Sequence, residues 1–371
     1  FGLVVTSLFV QCKREYLPPE LSVDYNYLVI EGTIINSMVS PTTILLSRTR
    51  KLTDTVLNIP ETNASLSIES NNGQVYSMSE IEAGKYFAPP VMLNTAEMYR
   101  LNIVTSGGKK YLSDFVEVKK TPSIDSLNYI QPGDVTIFVN SHDPGNETRY
   151  YRWEYIETFQ YHAQGQTDIS VNNGLMYFLD STNQIYNCWH INSSTDIFIA
   201  STAALNQDVV YRFPLVTIPQ HAPKIGIRYS IEVRQYAISQ EAYQYYQILK
   251  KNTEQQGSIF DVQPSQLKSN IHSLDDPSEI VIGYVTASDI SIKRLFISRS
   301  DLVDWQPVVL DGLCDMVIIG VNPSNYLIYT YPDPAYVPWY FTGSGGILVV
   351  TKKACVDCRE QGGTNQKPSY W

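Results

Sequence analysis

Short runs in which apolar and polar residues alternate fill most of this chain, and Gly, Pro, Asn and Asp separate them. Alternation with period two turns one face of a strand inward and the other outward, so these runs predict half-buried strands. The first is Tyr27-Leu28-Val29-Ile30-Glu31-Gly32-Thr33-Ile34-Ile35, where Gly32 breaks a β-branched stretch and predicts a bulge or a close backbone approach. Thr42 to Arg48 follows. Ala64-Ser65-Leu66-Ser67-Ile68-Glu69 then alternates strictly, and Asn71-Asn72-Gly73 supplies a hairpin turn before Gln74-Val75-Tyr76. Gly84 to Phe87, Met98 to Val104, Lys110 to Ser113 and Asp114 to Val118 continue the series. Many short strands, frequent turns and no helical stripe predict an immunoglobulin-like β-sandwich over residues 26–120.

Thr121-Pro122-Ser123-Ile124-Asp125 marks a boundary, and residues 121–371 read as a second β-rich unit. Asp134 to Asn140 is a strand and Asp143-Pro144-Gly145-Asn146 a turn. Arg149 to Ile156 alternates, with Tyr151, Trp153 and Tyr155 on one face. That layout resembles a fibronectin type III domain, in which a strand carries a core aromatic. Residues 157–205 lack steady periodicity and read as a long insertion with short strands, anchored by Cys188-Trp189. One helix is predicted from Ser239 to Gln255, an insertion near 239–256, with Ser239 as N-cap and Glu241 in the first turn. Its apolar stripe is Tyr243, Tyr246, Ile248 and Leu249, and Gly257 ends it. Strands resume at Glu279 to Thr286 and Ile290 to Ile297. The fold class is therefore mainly β, two sandwich-like units with one helix.

The start has a different texture. Phe1 to Gln11 is an apolar run that ends on Cys12, followed by Lys13-Arg14-Glu15 and Pro18-Pro19. Spanning a bilayer takes ~20 apolar residues, so this run suits the apolar part of a secretory signal instead. With no initiating Met and no basic leader, residues 1–12 read as a truncated signal peptide and 13–25 as a tether. A signal that ends on Cys resembles a bacterial lipoprotein signal, with Cys12 lipidated. Gln11 stands where that pattern has a small residue. The competing reading is a buried N-terminal strand with an incidental cysteine.

Composition narrows the chemistry. The chain has 371 residues and a net charge of −10 without any block of Lys or Arg, which argues against nucleic acid as a partner. Its 27 tyrosines suit strands and half-buried surfaces. Beyond Cys12 there remain Cys188, Cys314, Cys355 and Cys358. An even count in an exported chain predicts two disulfides, with three connectivities open. Zinc and free thiols are the other readings, and zinc lacks a second paired spacing. No metal or cofactor is expected.

No catalytic motif stands out. There is no Gly-x-Ser-x-Gly elbow, no phosphate loop and no His-Glu-x-x-His. Gly343-Ser344-Gly345-Gly346 precedes a strand, whereas a phosphate loop precedes a helix. His142-Asp143 and Asp275-Asp276 read as solvated turns. Tyr326 to Phe341 differs, because Tyr329, Tyr331, Tyr336, Trp339 and Tyr340 are interleaved with Pro332, Pro334 and Pro338. Two readings stand: a stiffened docking loop for a partner, or packing of a long insertion against the second unit.

Three stretches together resemble the Bacteroidota outer-membrane lipoproteins grouped as domain of unknown function 4249. They are the lipoprotein-like start leading to Leu28-Val29-Ile30-Glu31-Gly32, the segment Ile44 to Thr49, and the tail. The tail reads Cys355-x-x-Cys358-Arg359, Gly362-Gly363-Thr364-Asn365, Lys367-Pro368 and Trp371. The lipoprotein-like start, the β-sandwich modules, the aromatic richness and the missing catalytic motif give the leading expectation, a non-enzymatic protein attached to the outer membrane by its N-terminal lipid; the resemblance itself carries over no catalytic residue. It implies an accessory or ligand-capture role beside a TonB-dependent receptor. A cell-surface adhesin or structural protein is the alternative, and a surface hydrolase a third.

Overall fold

The computed structural model describes residues 26–49, 59–254, 267–307, 314–320, 328–329, 331–342 and 347–371. The expected signal, Cys12 and the tether fall outside them, as do Tyr326 and the glycine run 343–346. The first strands are β1 (Leu28–Asn36), β2 (Thr42–Arg48), β3 (Ile59–Pro60), β4 (Ser65–Ser70), β5 (Val75–Glu82), β6 (Lys85–Ala88), β7 (Met98–Val104), β8 (Lys110–Ser113) and β9 (Val116–Lys119). Next come β10 (Ile124–Ile130), β11 (Val135–His142), β12 (Tyr150–His162), β13 (Ile169–Asn172), β14 (Leu175–Phe178), β15 (Asn187–Ser193), β16 (Phe198–Ser201), β17 (Val209–Ile218), β18 (Arg228–Ala237) and helix α1 (Gln240–Glu254). The last are β19 (Ile271–Ser273), β20 (Val281–Gly283), β21 (Thr286–Asp289), β22 (Ser291–Ser298), β23 (Val317–Gly320), β24 (Tyr336–Thr342) and β25 (Ile347–Lys352). The protein is mainly β, as its patterning predicts.

The N-terminal sheet closes on itself, where two open facing sheets were expected. The path runs β7-β4-β5-β6-β2-β1-β21-β9 and returns through a β7–β9 pairing. Closure removes free edges, which an open sheet has to protect. The closing strands come from far along the chain. β20 and β21 lie parallel to β1, and β19 pairs with β8. Residues 271–289, expected in the second unit, thus build the first sheet. Alternation fills the ring: Leu66, Ile68, Leu101, Ile103, Tyr86, Tyr99 and Tyr111 are buried in one core with Val281, Val285 and Ala287.

The second unit has two sheets facing across one core. One is β10-β11-β17 and the other is β15-β12-β18-β22. Tyr151 and Trp153 are buried between them and Tyr155 partly so, as the alternation of β12 predicts. Trp153 donates its indole N–H to the Gln235 side chain at 2.8 Å, and Gln235 donates to the Pro122 carbonyl at 2.7 Å. That buried amide therefore ties the core aromatic to the segment that links the two units. Satisfying both groups avoids the penalty of an unpaired buried polar atom.

Helix α1 begins where expected, with the Ser239 hydroxyl accepting from the Ala242 amide at 3.2 Å. Its buried residues are Ala242, Tyr245 and Tyr246, so the inward stripe is centred nearer Tyr245 than the sequence suggested. They pack with Ile35 of the ring and Tyr236 and Ile238 of the second unit. The helix therefore fills the seam between the two β units.

The chain ends in a small sheet, β23-β25-β24, whose core of Ile169, Met176, Leu348 and Val350 includes the β13–β14 hairpin. Two disulfides, Cys188–Cys358 and Cys314–Cys355, hold it. The Cys-x-x-Cys pair is thus divided between two partners.

Candidate functional site

Between β1 and its parallel partners the ladder opens. Ile30 pairs with Gly283 and Thr33 with Thr286, but Glu31 and Gly32 have no partner opposite Tyr284 and Val285. The register is the same on both sides, so this is a gap and not a slip. Two glycines flank it. A Cβ on Gly32, at φ +145°, would lie 2.5 Å from the Thr43 carbonyl oxygen, and one on Gly283, at φ +148°, 2.4 Å from that of Ile30. Only glycine fits there without strain. The Asn270 side chain takes over the missing ladder bonds, donating to the Val285 carbonyl and accepting from its amide, both at 2.9 Å.

Over this gap lies a cleft of about 390 Å³, walled by the ring, the second unit and α1. Tyr245 and Tyr246 come from the helix and Tyr284 from the ring, with the Tyr245 and Tyr284 rings 5.3 Å apart. Arg152 and Glu154 come from β12. They alternate with the core aromatics of that strand, so they lie on its outer face, and the helix covers them. The Arg152 guanidinium sits 5.1 Å from the Tyr236 ring centre and 5.0 Å from that of Tyr246. Cation–π contacts of this kind contribute up to about 2 kcal/mol when desolvated. It pairs with Glu154 at 2.7 Å and donates to the Thr33 hydroxyl at 3.3 Å. Tyr236 donates to the second Glu154 oxygen at 3.1 Å. Glu31 projects at the mouth. Desolvation, and then the like charge of Glu154, raise its carboxyl above the ordinary glutamate range, and Arg152 offsets only part of this.

A wider groove of about 810 Å³ runs between residues 117–122 and 143–150. Its Asp143 is already satisfied by the amides of Gly145, Glu147 and Thr148 at 2.8–3.0 Å, and Glu117 pairs with Lys119. It is a solvated turn region, as the sequence reading has it.

Among the described residues, the aromatic Tyr/Pro segment packs into the small C-terminal core. Tyr329, Tyr331 and Tyr336 pack on Ile169, Met176, Leu348 and Val350, and Tyr329 donates to the Tyr336 carbonyl at 2.7 Å. Trp339 lies over Gly165 and donates to the Gln166 carbonyl at 3.0 Å. Tyr340 alone stays open, at 39% exposure. The β13–β14 hairpin supplies the covering face that sequence could not place there.

The stapled tail runs back over the second unit. Cys358 donates its amide to the Ile185 carbonyl, Thr364 bridges to Trp189, and Gly363 lies against the Tyr161 hydroxyl. At the end the Arg294 guanidinium stacks 3.6 Å from the Tyr370 ring centre, and Arg228 lies between Phe296 and Trp371. The tail is therefore an anchor. Glu31, Arg152, Glu154 and Tyr245 were not singled out by sequence, and Tyr246 was read only as part of a helix's apolar stripe. The one local sign was a charged Glu31 beside Gly32 inside an apolar strand.

The fold and cleft together define a β scaffold with an aromatic, acidic recess at its seam. The chain belongs to the family described as Domain of unknown function (DUF4249), whose profile matches residues 14–294. That span takes in the ring, the seam helix and the cleft. The cysteine tail, one of the three stretches that carry the resemblance, lies beyond it. No curated protein matches the chain. Among solved structures it is similar to a two fibronectin type-III domain segment from chicken tenascin, at 13% identity and TM-score 0.16, covering 56% of this chain and 88% of that one. It is similar also to the adhesin InvE of Yersinia pseudotuberculosis, at 10% identity and TM-score 0.15, covering 57% of each. At these scores neither likeness bears on function.

Proposed function

We propose that this protein is a non-catalytic binding protein, held at the outer membrane by a lipid on Cys12. There it serves as an accessory or ligand-capture partner of a TonB-dependent transporter. The seam cleft carries the reading. Sites that capture small molecules are concave, partly aromatic and placed where structural units meet, and this recess has all three properties. The lipoprotein-like start and the family resemblance support the location and the partner. Tagged full-length protein purified from outer membranes is expected to bring a TonB-dependent receptor with it, and deletion is expected to slow uptake of one nutrient. Recovery of no such receptor, with uptake intact, overturns the transporter role.

A further inference from the structure

We propose that the seam cleft binds an organic cation, an ammonium or guanidinium group on a body that fits about 390 Å³, with Glu31 as its counter-ion. The inference rests on the cleft being a capture site and adds the class of ligand. Its lining holds three carboxylates, Glu31, Glu154 and Asp196, against one cation, Arg152. Lys250 lies nearby but is engaged by the Ile197 carbonyl at 2.6 Å and by Glu254 at 3.3 Å. Glu154 is already matched, by Arg152 and by the Tyr236 hydroxyl. Glu31 makes no hydrogen bond or ion pair among the described residues, yet its charge acts on both Tyr245 and Tyr246.

Arg152 shows within the same recess what the missing partner looks like. It is a cation set against tyrosine rings with a carboxylate 2.7 Å away. Glu31, which lines the cleft with Tyr245, Tyr246 and Tyr284, offers a carboxylate and rings without a built-in cation. An anion would meet a net negative wall, and a neutral ligand would leave the repulsion between Glu31 and Glu154 in place. Only a cation relieves that repulsion and uses the ring faces as well.

The test is calorimetric titration of the full chain with choline, benzyltrimethylammonium and spermidine. 3,3-Dimethyl-1-butanol serves as the neutral isostere of choline, and inorganic phosphate as the anion. At least one cation is expected to bind saturably, with the neutral isostere and phosphate weaker by about tenfold or more. Glu31→Gln is expected to weaken that cation by about tenfold, and Glu31→Asp to recover part of the loss. Because Glu31 holds no structural bond, both variants are expected to melt no lower than the native protein, so lost binding is not lost folding. Equal binding of the neutral isostere or of phosphate overturns the cation and leaves the capture reading standing. Cation binding unchanged in Glu31→Gln overturns the assignment, and so does no binding by any of the three cations. Cation binding without a co-purified receptor upholds it while the transporter role falls.

Discussion

In the ring, 19 buried apolar residues form one core and there is no cysteine. Where the C-terminal sheet meets the β13–β14 hairpin, the core has four buried residues, two from each, and two disulfides hold it. The ring obtains its stability from burial and from a strand path that closes through the β7–β9 pairing, which leaves it fewer edges to fray. Four buried side chains cannot offset the ordering of the segments that carry them, and cross-links lower the entropy of the unfolded chain instead. Closure and stapling are thus alternatives, and the size of the core selects between them.

The sharpest way to break this contrast is to remove the staples. The disulfide Cys188–Cys358 closes a separation of 170 residues and Cys314–Cys355 one of 41. Loop entropy gives them roughly 5 and 4 kcal/mol at most. Cys188→Ser with Cys358→Ser is expected to abolish hydrogen-exchange protection in β24 and β25 while the ring keeps its own. Loss of protection in both regions at once would show one cooperative unit. The converse lesion is Gly32→Ala, where the new methyl group meets the Thr43 carbonyl at 2.5 Å. It is expected to cost about 3 kcal/mol by urea denaturation, with the C-terminal sheet still protected. Truncation after Ser369 removes the Arg294–Tyr370 and Arg228–Trp371 stacks and the 2.8 Å Tyr370–Thr158 bond. About 1–2 kcal/mol is expected from thermal melts, confined to the second unit.

The smallest effect has the opposite sign. A carboxyl whose folded pKa is raised binds more protons folded than unfolded. Its contribution is therefore favourable at low pH, and stability declines as pH rises from the ordinary glutamate value through the raised one. Glu31 behaves so, with Glu154, Arg152, Asp196, Tyr245 and Tyr246 as the groups that face it. Glu31→Gln is expected to flatten that part of the stability–pH curve and to raise stability slightly at neutral pH. An unchanged curve would remove Glu31 from the crowded mouth.

The strands were legible because their alternation is local. Ser65–Ser70 and Met98–Val104 bury every second residue as the sequence reads, and the close approach expected at Gly32 is present. The Ser239 cap was legible for the same reason. Closure of the ring was not, since the pairing of β1 with β20 and β21 spans 253 positions and leaves no mark in either strand alone. The cleft was hidden for a related cause. Arg152 and Glu154 look like ordinary outward residues of an alternating strand until α1 covers them. Cysteine count gave the number of disulfides, whereas their connectivity depended on where β15 and the tail meet.

The parallel closure also imposes an order of assembly. As the chain emerges from the ribosome, β1 to β9 are complete long before β20 and β21 exist, and of the second unit's sandwich only β22 is still to come once β21 has been made. Until residue 289 has been made, the nascent N-terminal sheet carries an unpaired flank along β1, the kind of edge on which newly made chains associate. Closure of the ring is therefore the return of a distant segment to a waiting slot. A chaperone that shields Leu28–Asn36 during that interval is expected to raise the yield of folded protein more than one acting anywhere else on the chain.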